Sequence, residues 1–177
     1  MTMVRSLRGV LTDTRGTAAL ELAGVGALLM LGAMNAADVG RYAYQTSEVT
    51  AAAQAGAEAA LVACDIDHTP ATLNCPGLPD AVTRAIQATR LGAQVSLDGQ
   101  IDEGYYCLNT SGVLINYSSA SYKPADCSGV ANAAPGAAPT LFLQVHVTYA
   151  FQPLFPGVTV AQNFSPHIAR TSWMRMA

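Results

Sequence analysis

The chain begins with a polar, arginine-bearing stretch and then loses almost all of its charge. Residues 17–37 contain one charged side chain, Glu21, and residues 22–37 contain none. A helix of about 20 apolar residues crosses the hydrocarbon core of a bilayer. The pattern therefore predicts a membrane span at about residues 18–37. No proline interrupts residues 17–63, which predicts one continuous helix of roughly 70 Å. In the second half of that helix, Tyr42, Thr46, Val49, Ala53, Gly56, Ala60 and Ala63 recur at alternating spacings of four and three. Such spacing lays them on one helix face, with Arg41, Gln45, Glu48 and Glu58 expected largely off it. The stripe is made mostly of small residues, so its cover must approach closely. Two covers fit: the protein's own sheet, which is favoured, and a neighbouring subunit. Both can hold at different levels of the helix.

Beyond residue 63 the periodicity changes. Residues 79–91 predict a short helix, with Pro79 suited to its first turn and Val82, Ile86 and Leu91 on one side. Residues 94–97 and 104–108 predict a hairpin, with Asp98-Gly99 opening its turn. Residues 113–117 suggest a third strand, and 118–139, rich in Ser, Ala, Gly and Pro, a long loop. From 141 to 151 apolar and more polar positions alternate strictly, as in a strand with one buried face. Residues 158–173 predict a last strand or two, broken near Pro166. The fold class is α+β: a long N-terminal helix packed against a small antiparallel sheet. The expected organisation is a leader at 1–16, the long helix at 17–63 and an outer domain at 64–177.

Composition sharpens this picture. Apolar residues make up 51% of the 177 residues and charged residues 12%, with a net charge of −3. The body of the chain has no basic cluster, so nucleic-acid binding has no electrostatic basis. Arg5, Arg8 and Arg15 precede the span, opposed only by Asp13. Arginines on that side keep the N-terminus in the cytoplasm and place the remainder outside. The four cysteines, Cys64, Cys75, Cys107 and Cys127, agree with that topology, since an even number in an exported chain reads as two disulfides. Three connectivities are possible. Cys64–Cys75 with Cys107–Cys127 is favoured because sequence neighbours close small loops; four free thiols in a cytosolic protein is the alternative.

Cys64, Asp65, Asp67, His68 and Cys75 crowd one stretch, but their spacing matches no zinc pattern, and a disulfide-closed loop is the preferred reading. His68, His146 and His167 lie far apart, and His146 falls on the more polar face of its strand. No phosphate loop, nucleophile elbow or paired metal motif occurs. The expectation is no catalytic site, no cofactor and no metal.

The span itself is unusual. Gly24, Gly26, Gly32 and several alanines stand among its leucines, and small residues allow helices to pack closely. Glu21 is costly so near the start of a span, and an ionisable group there usually has a partner or a role. One reading has it at the interface, complementing the positive end of the helix dipole. The other makes it an assembly contact: a cut after Gly16 would free an amino group on Thr17, which a carboxylate one turn away, on the same or a neighbouring subunit, would neutralise. Three processing outcomes fit the residues. These are signal-peptide cleavage near Ala36 or Ala37, an uncleaved anchor, and cleavage after Gly16.

The stretch Arg15-Gly16-Thr17-Ala18-Ala19-Leu20-Glu21-Leu22-Ala23 resembles a class III prepilin signal. More narrowly, it resembles the start of TadE-like minor pilins (pseudopilins) of tight-adherence, or Flp, type IVb pili. The polar cluster Asp38-Val39-Gly40-Arg41 and the alanine-rich stretch at 51–60 are similar to that family. So are Val145-His146-Val147-Thr148-Tyr149, Pro153-Leu154-Phe155-Pro156 and Ala169-Arg170-Thr171-Ser172-Trp173-Met174-Arg175, read as terminal strands. Residues 64–140 carry no family motif. The resemblance implies a pilin-like fold, processing by a prepilin peptidase at Gly16/Thr17, and a role in assembling or priming a pilus. The implied partners are other pilins or pseudopilins of that pilus and an inner-membrane assembly platform. The implied location is the bacterial inner membrane, single pass, with the N-terminus cytoplasmic.

Overall fold

The computed structural model describes residues 14–64 and 66–176. Arg5, Arg8, Asp13 and Asp65 lie outside the described residues, as does most of the expected leader. The first element, α1, is a single helix from Thr14 to Ala63. It begins three residues before the predicted start and ends where predicted. The chain divides into two compact units, and α1 contributes to both. One unit combines α1 up to Tyr42 with Gln152–Phe164; the other comprises Ala43–Phe151 and Ser165–Ala177.

In the second unit the predicted helix face is buried at Val49, Ala53, Gly56 and Ala60, with Ala52 and Ala57 beside it, but Thr46 is half-buried and Ala63, expected on the stripe, is exposed. Gly56 lies against Val82, Ile86 and Val145. The cover of this stretch is therefore the protein's own domain. Gln45 differs from expectation: it is buried rather than off the stripe. Its side-chain amide donates to the Tyr149 hydroxyl at 2.8 Å, which satisfies the nitrogen, while Oε1 is buried without a hydrogen-bond partner among the described residues.

Cys64 follows α1 directly and pairs with Cys75, closing a loop of sequence separation 11. Inside the loop lie a 3-10 turn at Ile66–His68 and the short helix α2, Ala71–Asn74. The first amides of α2 have no partner within so short a helix, and Glu103 supplies one. Its carboxylate accepts from Ala71 N at 3.0 Å and from Thr72 N and Oγ1 at 2.8 Å each. Helix α3, Leu78–Gln87, carries proline in its first turn and buries Leu78, Val82 and Ile86. It ends four residues short of the predicted 91.

The sheet contains β1 (Val95–Leu97), β2 (Asp102–Leu108), β3 (Leu114–Ser119), β4 (Thr140–Ala150) and β5 (His167–Arg175). The predicted hairpin at Asp98-Gly99 does not form. β1 and β2 do not pair with each other; both run antiparallel to β4, in line along the same edge. Leu97 faces Val147 and Asp102 faces Gln144, so residues 98–101 bulge where β4 spends only two residues. Gly99, at φ 83°, accommodates the bulge without reversing the chain. The hairpin instead joins β2 to β3. Its turn is held by the Asn109 carboxamide oxygen, which accepts from Ser111 N and Val113 N.

β4 is the central strand, with β5 on its other edge from Phe142↔Arg175 to Ala150↔His167. Its apolar positions follow the prediction, with Leu141, Leu143, Val145, Val147 and Tyr149 buried, but Gln144, expected on the more polar face, is buried as well. Residues 158–166 are not strand. Val160–Asn163 form a 3-10 turn, and Pro153–Pro156, read from the resemblance as part of the terminal strands, is an irregular turn. Cys107 of β2 pairs with Cys127, sequence separation 20, which anchors the long loop after β3. The α+β class thus stands, with the sheet order differing from expectation.

Candidate functional site

Gly16 and Thr17 lie in the first turns of α1, and both are exposed. Glu21 follows Thr17 by four residues, one turn along the same side of the helix, and is also exposed. Around them the helix is bare. Leu20, Leu22, Leu28 and Leu29 each expose 70% or more of their surface, and Gly24, Gly26 and Gly32 have nothing within 4 Å of where a Cβ would sit. Each leucine left in water forfeits about 1.5–3 kcal/mol of burial. A continuous apolar surface of this kind marks a lipid or protein contact. By length and composition α1 is a candidate membrane helix near the N-terminus.

Where the charge-free run ends, α1 turns polar on one side. Asn35, Asp38 and Tyr42 follow at spacings of three and four, and all three bind the segment Gln152–Phe164. Asn35 Oδ1 accepts from Val160 N at 2.9 Å. Asp38 is fully buried; its oxygens accept from Leu154 N at 2.7 Å, Phe155 N at 3.2 Å and Thr159 Oγ1 at 2.6 Å. The rings of Tyr42 and Phe164 pack at 4.8 Å. Burial by itself would raise the Asp38 carboxyl. The Thr159 hydroxyl and the Leu154 and Phe155 amides, with the charge of Arg41, outweigh burial and hold it below the ordinary carboxylate value. The helix half of this cluster is visible in the sequence as polar residues ending an apolar run. The loop half, more than a hundred residues away, carries no signal that pairs it with them.

Asp38→Ala is expected to free the segment while leaving the sheet intact. Chymotryptic cleavage after Phe164 should accelerate by about tenfold, as loss of charge-assisted hydrogen bonds implies. Because the folded carboxyl is held low, its hold persists at neutral pH. It should be lost only as the pH falls through and below the ordinary carboxylate range. Cleavage at pH 7 that does not differ between the two proteins would refute this account.

The second unit offers an aromatic surface. Tyr106, Phe142 and Trp173 meet edge to face, with centroids 5.1–6.3 Å apart, and Trp173 remains 44% exposed. The Gln144 side-chain amide donates to the Tyr106 hydroxyl beneath them. Next to this cluster, His146 lies between Thr171 Oγ1, at 2.8 Å from Nδ1, and Asp102 Oδ2, at 3.4 Å from Nε2. The sequence did not bring these three residues together. They form a cross-strand ladder on the half-exposed sheet face, with the Asp102 side chain 68% exposed. Both cysteine pairs are disulfides, so neither Cys64 nor Cys75 is a free thiolate for a metal.

No protein-family model matches the chain, and no curated protein or solved structure does.

Proposed function

We propose that this chain is a structural, non-enzymatic minor pilin of a tight-adherence pilus, anchored in a bacterial inner membrane and cut after Gly16 by a prepilin peptidase. The observation that carries this reading is the division of labour along one unbroken helix. From Gly16 to about Leu31 it is apolar and largely exposed, whereas between Gln45 and Ala60 one face is buried against α3 and β4. A helix that only anchored a domain would need neither the small residues nor Glu21. A helix that packs among others has a use for both. The charged start Arg15-Gly16 and the Gly16-to-Glu21 spacing supply the cleavage signal. In this reading Glu21 neutralises the new amino group of Thr17 on the same or a neighbouring subunit. The partners are other pilins or pseudopilins and the assembly platform, and the two disulfides suit the oxidising side of the membrane.

The aromatic face around Trp173 favours a second reading, an uncleaved anchored module that binds a partner outside the membrane. N-terminal sequencing of the membrane-extracted protein, made alongside a prepilin peptidase, separates the two. The expected first residue is Thr17, and Gly16→Leu should leave only the uncut chain. A wild-type N-terminus at Met1 supports the anchored module, and one near Asp38 overturns both readings.

A further inference from the structure

We infer that the segment Gln152–Phe164 is a membrane-interface collar, whose exposed side chains Leu154, Val158 and Val160 enter the outer leaflet beside the end of the span. The inference rests on the membrane-anchor reading above and goes beyond it. Three observations carry it.

The first is position. The segment is tied to Asn35 and Asp38 of α1, the residues at which the charge-free run 22–37 stops. If that run lies in hydrocarbon, the segment sits at the boundary between acyl chains and headgroups. The second is composition. No charged residue occurs between Tyr149 and His167, while Leu154, Val158 and Val160 are 54%, 50% and 55% exposed. A loop facing only water has no reason to exclude charge and present three large aliphatic groups.

The third is backbone satisfaction. An amide without a partner is expensive near hydrocarbon. Leu154, Phe155 and Val160 donate to α1 side chains. Val158, Thr159 and Phe164 donate within the segment, and Pro153 and Pro156 have no N–H to satisfy. The buried Asp38 thus removes two amides from the lipid boundary while its own charge stays covered. Shallow insertion of an apolar surface by about 5–10 Å is the ordinary mode of interfacial binding.

The test uses the full chain in phosphatidylcholine–phosphatidylglycerol vesicles at low protein density. Val158→Cys and Leu28→Cys are labelled separately with an environment-sensitive fluorophore while the native cysteines remain oxidised. Spin-labelled lipids then serve as shallow and deep quenchers. The Val158 label should emit to the blue of its value in water, with shallow quenching roughly two-fold stronger than deep, as an interfacial depth implies. The Leu28 label should show the reverse order. Quenching at Leu28 without quenching at Val158 overturns the collar and leaves the anchor standing. A blue-shifted Val158 label that lipid cannot quench, and whose shift grows with protein density, means a second copy covers the segment, which also overturns the collar. Absence of quenching at both positions removes the anchor, and the collar with it.

Discussion

Gly56→Leu is expected to unfold the sheet-bearing unit or to lower its stability by about 3 kcal/mol, the upper end of the cost of overpacking a filled core. A Cβ at this position would already lie 2.9 Å from Ile86 Cγ2, 3.1 Å from Val145 Cγ1 and 3.3 Å from Val82 Cγ1. These are side-chain methyls on α3 and the central strand β4, which can give a few tenths of an ångström for one carbon but cannot make room for a whole side chain. Leucine then adds three more carbons where the first already requires its neighbours to shift. The better helix propensity of leucine returns less than about 1 kcal/mol of the loss. Gly56→Ala sets the scale: one carbon of crowding against a propensity gain of about 1 kcal/mol should leave stability nearly unchanged. Thermal unfolding in detergent, followed by the near-ultraviolet signal of Trp173, should fall by about 10 °C or more for leucine. A leucine variant that melts with the wild type would show that α1 does not lie against Ile86 and Val145.

Removing the Cys107–Cys127 bridge, by Cys107→Ala with Cys127→Ala, should destabilise the same unit by about 3 kcal/mol. The chain-entropy relation gives roughly that figure for a closed loop of its size, whose sequence separation is 20. The loop offers little to replace it. Between β3 and β4 its main anchors are an isolated bridge, Asn109↔Ala133, and amide bonds such as Thr110 N to Asn132 O at 2.9 Å and Ala134 N to Leu108 O at 2.9 Å. Alanine is the appropriate replacement because both cysteines are buried, and serine would add an unpaired hydroxyl. Denaturant unfolding of the oxidised proteins measures the difference. Equal midpoints would mean that this bridge is not formed in the oxidised protein.

Much of the architecture was legible without coordinates because it depends on local periodicity. The helix to residue 63, the β4 alternation and the small-residue face around Gly56 are patterns that a single element carries by itself. The cysteine pairing also followed from proximity in sequence. Asp98-Gly99 marks the boundary of that reasoning. The dipeptide does interrupt a strand, but whether an interruption reverses the chain or bulges depends on which strand lies beside it. Here β4 pairs with the residues on both sides, so the chain continues in one direction. Gln45 shows the same dependence. Its polarity placed it outside the buried stripe, and the Tyr149 hydroxyl that accepts from its amide comes from another element, more than a hundred residues away.

The opening signal stands where the sequence left it. Gly16, Thr17 and Glu21 lie on an exposed stretch of α1, so their reading rests on the pattern of charge and apolar residues along the chain. By itself the sequence determined that an uncharged helical run follows an arginine-bearing start, that the helix continues beyond that run, and that a strand-rich domain with two cysteine pairs follows. Only the tertiary structure decided that Asp38 is a buried anchor for Gln152–Phe164. A carboxylate at the end of an apolar run can face water, a headgroup or another chain. Its donors, Leu154, Phe155 and Thr159, lie more than a hundred residues away, and contacts at that separation are set by how the elements fold together, which no local pattern records.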